Sequence, residues 1–219
     1  MIREKDMEAI IEPLRAIDWE DIDAVESATR KALTALTEDR QPIRESLLTL
    51  HERPELLRLC EHYDILDKVV LHDDPSGVRV RLHVFLPGYF DRPHNHRWSY
   101  ASLIMRGQYR HHLFGDAELD ETIDPASLKV LMVRQEQVGN AYALHHTMVH
   151  AVVAEHYTVS LVIRGPAVKD RFLVMDRATG GSWWQYGANM EPAYRAEQKH
   201  MTVERLTELT GWLREWNLF

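Results

Sequence analysis

The stretch Gly88-Tyr89-Phe90-Asp91-Arg92-Pro93-His94-Asn95-His96, with Tyr100 and Gly107 following it, organises the reading of this 219-residue chain. Two histidines one residue apart on an extended segment point to the same side, so both imidazoles can reach one ion. A third ligand then has to arrive from a distant strand. The segment Gly139-Asn140-Ala141-Tyr142-Ala143-Leu144-His145-His146-Thr147-Met148-Val149-His150 supplies it. His150 is the first choice, and His146 competes with it because the turn before that strand can slip.

Outward from this stretch the pattern is that of short strands. Val78, Val80, Leu82, Val84 and Leu86 alternate with Arg79, Arg81, His83 and Phe85, the period of a strand with two different faces. The run follows Asp73-Asp74-Pro75-Ser76-Gly77, a strong turn signal. Further strands are expected at Leu66–His72, Trp98–Arg106, Gln108–Phe114, Leu128–Gln137, Ala141–Leu144, Met148–Ala154, Thr158–Arg164 and Phe172–Asp176. Strands of this length and spacing predict a sandwich or a small barrel. Helical spacing frames them. Met7, Ile10, Ile11, Leu14 and Ile17, then Ile22, Val25, Ala28, Leu33 and Leu36, recur every three or four residues, and Val203, Leu206, Leu209, Leu213 and Trp216 share one helical face. The expected organisation is a helical arm over residues 1–63 and a barrel with a C-terminal helix over residues 64–219.

Composition narrows the function classes. The chain carries 34 acidic and 26 basic residues, a formal charge of -8, which argues against general nucleic-acid binding. A single cysteine, Cys60, excludes a disulfide framework and a cysteine-based zinc site; it reads as a small buried hydrophobe. No apolar run approaches a membrane span, and Met1 to Asp6 contains no signal-peptide core, so the expected location is cytoplasmic. The unusual count is 13 histidines. Those at 94, 96 and 150 have motif context, whereas His51, His62, His72, His156 and His200 do not.

On these residues the chain resembles the cupin superfamily. Gly88, His94, His96 and Gly107 match its first motif, with Tyr100 at the position of the family's glutamate. Gly139 and His150 keep the spacing of the second motif, while His145, Thr147 and Ala154 replace its proline, glycine and asparagine. The resemblance implies a mainly β fold, a double-stranded β-helix barrel, flanked here by the N-terminal helical arm and the C-terminal helix. It also implies a divalent metal on His94, His96 and His150. Loss of the glutamate implies a neutral three-histidine face, which is similar to the thiol dioxygenases of the cysteine dioxygenase type. Ala141-Tyr142 and Ser160-Leu161-Val162-Ile163-Arg164-Gly165-Pro166 resemble segments of those enzymes. Val162 and Arg164 replace the family's histidine and tyrosine, and Tyr100 replaces the cysteine that crosslinks to that tyrosine, so cysteine itself is in doubt as substrate.

The function implied is that of a mononuclear non-haem iron(II) oxygenase acting on a small, acidic, metal-chelating substrate together with dioxygen. Arg164 would orient the acidic group, unless it pairs with a protein carboxylate, and Tyr100 would shape the pocket or donate a hydrogen bond. Three imidazoles also accept nickel, copper, zinc or manganese. Two other readings stay open: a redox-neutral lyase or isomerase, and a non-catalytic ligand-binding cupin. Pairing of barrels into a homodimer is a further implication of the resemblance.

Overall fold

The computed structural model describes residues 4–88, 92–117, 119–187 and 190–219. Tyr89, Phe90 and Asp91, in the spacer of the first histidine motif, lie outside the described residues, as do Met1, Ile2 and Arg3.

The arm begins with α1 (Glu4–Ile11), a 3-10 turn at Glu12–Ala16 and the long α2 (Ile22–Glu38), followed by α3 (Gln41–Thr49) and the short α4 (Pro54–Leu57). Asp21 starts α2 by accepting from the amides of Asp23 and Ala24, which satisfies two donors that the first helical turn leaves open. Pro42 and Pro54 stand in the first turns of α3 and α4, where a missing N–H is harmless. One face of α2, carrying Val25, Thr29, Ala32, Leu33 and Leu36, is buried.

Eleven strands follow among the described residues: β1 (Glu61–Tyr63), β2 (Leu66–Asp73), β3 (Arg79–Phe85), β4 (Tyr100–Arg106), β5 (Gln108–Asp116), β6 (Met132–Gln137), β7 (Ala141–Leu144), β8 (Met148–Ala154), β9 (Thr158–Arg164), β10 (Arg171–Met175) and β11 (Ser182–Tyr186). Helices α5 (Ala193–Gln198) and α6 (Val203–Glu215) close the chain. One antiparallel sheet runs β1-β2-β3-β9-β4-β7 and the other contains β6-β5-β8. The extended segment at His94 continues the second sheet. It bridges His150 of β8 on one side and Val174 of β10 on the other, and β10 pairs with β11. Residues of both sheets line one cavity between them, which is the double-stranded β-helix barrel expected from the sequence.

The alternation along β3 resolves into two faces. Val80, Leu82 and Val84 join one hydrophobic cluster with Leu33 and Leu36 of α2, whereas Arg81, His83 and Phe85 line a cavity inside the barrel. The arm is therefore the outer layer of the first sheet and shares its core. Burying one such leucine contributes about 1.5–3 kcal/mol, so α2 and the sheet stabilise each other. Arg15 also ties the arm to the β2–β3 turn through Asp74, with Nη2–Oδ2 at 2.6 Å.

Several boundaries differ from the sequence-based expectation by a few residues, and one strand is additional. Glu61–Tyr63 already pairs with β2, so strand structure begins inside the segment assigned to the arm. The strand expected from Leu128 starts at Met132, where pairing with Leu113 begins. β11 was not anticipated; its aromatic run Trp183-Trp184 is the second strand of a hairpin. Among the described residues, no helix is long and apolar enough to cross a membrane.

Candidate metal centre

The strand pairing itself brings the histidines together. The amide of His94 donates to the carbonyl of His150 at 3.0 Å and the amide of His150 donates back at 2.9 Å. This places a residue of the first motif beside one of the second, although 56 positions separate them in sequence. His96 lies two residues along on the same side. One ring nitrogen from each of His94, His96 and His150 falls within 4.8 Å of the others. His146, the competing third ligand, faces elsewhere: its Nε2 is 3.1 Å from Glu20 of the arm.

Hydrogen bonds set the free nitrogens. His94 Nδ1 donates to the Arg92 carbonyl at 2.7 Å, which leaves Nε2 as the lone-pair nitrogen. His150 Nδ1 is 2.9 Å from His111 Nε2, and His150 Nε2 is 2.8 Å from His96 Nε2. Burial, reinforced by the neighbouring imidazoles, pushes His96 and His150 well below the usual histidine range. Neutral imidazoles with convergent lone pairs are the protonation state that ligates a metal. The donor set therefore fits one divalent ion of the kind that accepts nitrogen ligands.

Behind His150 stands a second layer that motif reasoning left out. His111 and Glu136 are both fully buried, with His111 Nδ1 3.6 Å from Glu136 Oε1. Burial alone would raise the Glu136 carboxyl, but the interaction with His111 and the charge of Arg134 outweigh it and hold it low. An ionised Glu136 favours the His111 tautomer that accepts from His150 Nδ1–H, which turns His150 Nε2 toward the other two histidines. Adjacent residues of a strand face opposite sides, so of His111 and His112 one must face inward, where it can stand near the metal site. The register of β5 on β8, with His112 opposite Ala151 and Leu113 opposite His150, was needed to find the contact.

Aromatic rings make the rest of the wall. The Tyr100 hydroxyl is 3.4 Å from His150 Nε2, at the place where the family motif has a carboxylate. Trp98 stacks on His96 at 4.6 Å and 19°, and Phe172 leans over His94 and His96 at 5.7 and 5.9 Å. Arg164 lines the same cavity. Its Nη1 donates to the carbonyls of Gly77 at 2.9 Å and Gly165 at 2.7 Å, partners the sequence did not suggest. Cys60 is buried, and burial pushes its thiol up to about 11, so it is not a nucleophile at neutral pH. The cavity that contains all of these groups has a volume of about 380 Å³, the size of a small-molecule site.

Comparison with protein-family models and with curated proteins finds no match. Solved structures show distant likeness. KdgF from Halomonas sp. is 16% identical with a TM-score of 0.37, covering 48% of this chain and 82% of its own. An RmlC-like cupin from Shewanella frigidimarina is 15% identical with a TM-score of 0.39, covering 50% of this chain and 85% of its own. Hydroquinone 1,2-dioxygenase from Sphingomonas sp. TTNP3 is 15% identical with a TM-score of 0.37, covering 46% and 66%. The barrel of this chain stands on its own strand pairing, and its three histidines form a group that could hold a metal ion.

Proposed function

We propose that this protein is a metal-dependent oxygenase in which His94, His96 and His150 hold iron(II), and a small chelating acid reacts with dioxygen. The observation that carries this reading is the donor set: three imidazoles converge, and a tyrosine stands where a fourth, anionic ligand would be. A bound iron(II) would supply open coordination positions for a bidentate substrate and for dioxygen, and the redox change that lets the two react. With both oxygen atoms entering the substrate, the substrate itself would provide the electrons and no separate reductant would be required.

The chain's own residues bind, orient and exclude water. Trp98 and Phe172 flank the ligand histidines and keep solvent from their faces. Tyr100, buried with its hydroxyl toward His150, can donate a hydrogen bond to a substrate oxygen beside that ligand. The Arg164 guanidinium, held by two carbonyls, adds fixed positive charge that favours an acidic substrate. Arg164 and Tyr100 are thus proposed as groups that position the substrate.

The test is anaerobic loading with iron(II), followed by an oxygen-electrode screen across small thiols, amino acids and other acidic chelators. Oxygen uptake that depends on one of these compounds and disappears in His94→Ala is the expected result. Turnover of such a compound by the metal-loaded protein without oxygen would replace this reading with that of a lyase or isomerase.

A further inference from the structure

The walls of the cavity are far more basic than the protein as a whole. Eight of the described lining residues are Lys or Arg and two are Glu, in a chain whose formal charge is -8. Most of these cations have partners. Lys68 and Lys199 share Glu61, at 3.2 and 2.5 Å, and Lys199 also reaches Glu191 at 2.6 Å. Arg79 pairs with Asp73 at 2.7 Å, Arg92 with Asp176 at 2.8 Å, and Arg97 Nε donates to the Lys169 carbonyl at 3.0 Å.

Among the buried cations of this wall, Arg81 is the exception. It is 7% exposed, and its Nε has no hydrogen-bond partner. Its guanidinium lies 4.7 Å from the centroid of Trp98, the ring that stacks on the metal-ligand candidate His96. Arginine stays protonated in proteins, so this is a buried positive charge without a directed anionic partner. His83, two residues along the same face of β3, also has a buried Nε2 without a partner.

We infer that Arg81 anchors an anion subsite in the barrel, and that the ligand accepted there is a small carboxylate. This deepens the proposed function and rests on it for the chelating end of the ligand. The planar guanidinium edge matches the two oxygens of a carboxylate. A phosphoryl group would call for several uncommitted donors, and the other buried cations on this wall are taken up by protein acceptors. The His83 ring can add one N–H to the same carboxylate. A single substrate carboxylate would then meet Arg81 one aromatic ring away from the metal ligands, with Trp98 as the surface between them.

The test uses metal-free and zinc-loaded protein, titrated calorimetrically with acetate, malonate and succinate, and with malonamide and succinamide as neutral counterparts. At least one carboxylate is expected to bind the metal-free wild type, with its diamide silent. Arg81→Gln should weaken that binding about 10- to 100-fold, the loss of one charge-assisted hydrogen-bonded pair. Arg81→Lys should recover part of it. Nitrogen-15 labelled arginine in the wild type gives a readout that needs no variant: the Arg81 Nε–H resonance should shift with the carboxylate and not with the diamide. Carboxylate affinity unchanged in Arg81→Gln, or no carboxylate binding and no Arg81 shift in the wild type, would overturn the inference. Arg81-dependent binding in a protein that takes up no metal would keep the subsite and remove the metal reading.

Discussion

His111 Nε2 lies 2.9 Å from His150 Nδ1, so a fully buried residue of β5 fixes which nitrogen of His150 faces the other two histidines. Glu136 on β6 stands behind His111. The third candidate ligand is therefore oriented by an inward-facing pair from two further strands, and this pair makes the first prediction.

Replacing His111 with alanine is expected to lower metal affinity about 10- to 100-fold, the usual cost of losing a partner that orients a ligand. Glu136→Gln should act in the same direction and more weakly, since His111 keeps its ring but loses the charge that selects its tautomer. Competition with a chromogenic chelator measures both. Wild-type affinity in His111→Ala would show that His150 needs no such support.

Binding should also appear as stability. An ion that binds only the folded chain contributes about 2.7 kcal/mol at a free concentration one hundred times its dissociation constant. Zinc added to the metal-free protein should raise the melting temperature of the wild type, and that rise should be lost in His94→Ala. An equal rise in both proteins would place the ion elsewhere.

The arm and barrel should unfold together, because Leu33 and Leu36 share one cluster with Val80, Leu82 and Val84. Leu33 is fully buried, and Leu33→Ala should cost about 2–5 kcal/mol. Urea titration followed by helical and by near-ultraviolet signals should give one coincident transition, shifted to lower denaturant in the variant. Two separated transitions would mean that the arm is an independent unit.

A pH dependence follows from the Arg15–Asp74 contact. The Arg15 hydrogen bonds hold the Asp74 carboxyl well below the usual range, with burial opposing and the Ser76 contacts assisting. A depressed folded-state value stabilises the protein above the unfolded value of about 3.9. That contribution is lost as pH falls from there through the folded-state value. Asp74→Asn should therefore cost about 1–2 kcal/mol at neutral pH. It should also flatten the acid limb of a stability-against-pH curve. An unchanged acid limb would show that the contact contributes nothing.

The strand character of β3 was legible from its alternation, because period two is a local property of the chain. What each face meets was not: the arm covers Val80, Leu82 and Val84, and the choice of lumen for Arg81 and His83 depends on that coverage. The pair His94 and His96 was legible for the same local reason. The choice of His150 over His146 rests on the hydrogen-bonded bridge between His94 and His150, a pairing no short window contains. Arg164 and Arg81 look alike in sequence, each on an alternating strand. Only the carbonyls of Gly77 and Gly165 distinguish them, by occupying one guanidinium and not the other. Sequence left open which of the adjacent His111 and His112 stands near the metal site, and it did not single out Glu136, because a buried polar pair carries no motif; its signal is the register of three strands.

The central claim is that one divalent ion sits on the ring nitrogens of His94, His96 and His150. X-ray absorption on the zinc-loaded protein tests it most directly, because the first shell reports donor type and distance. The account predicts three imidazole nitrogens at about 2.0–2.1 Å in the wild type, and the loss of one of them in His150→Ala. A wild-type shell with fewer than three imidazoles, or a shell unchanged by removing His150, would contradict it.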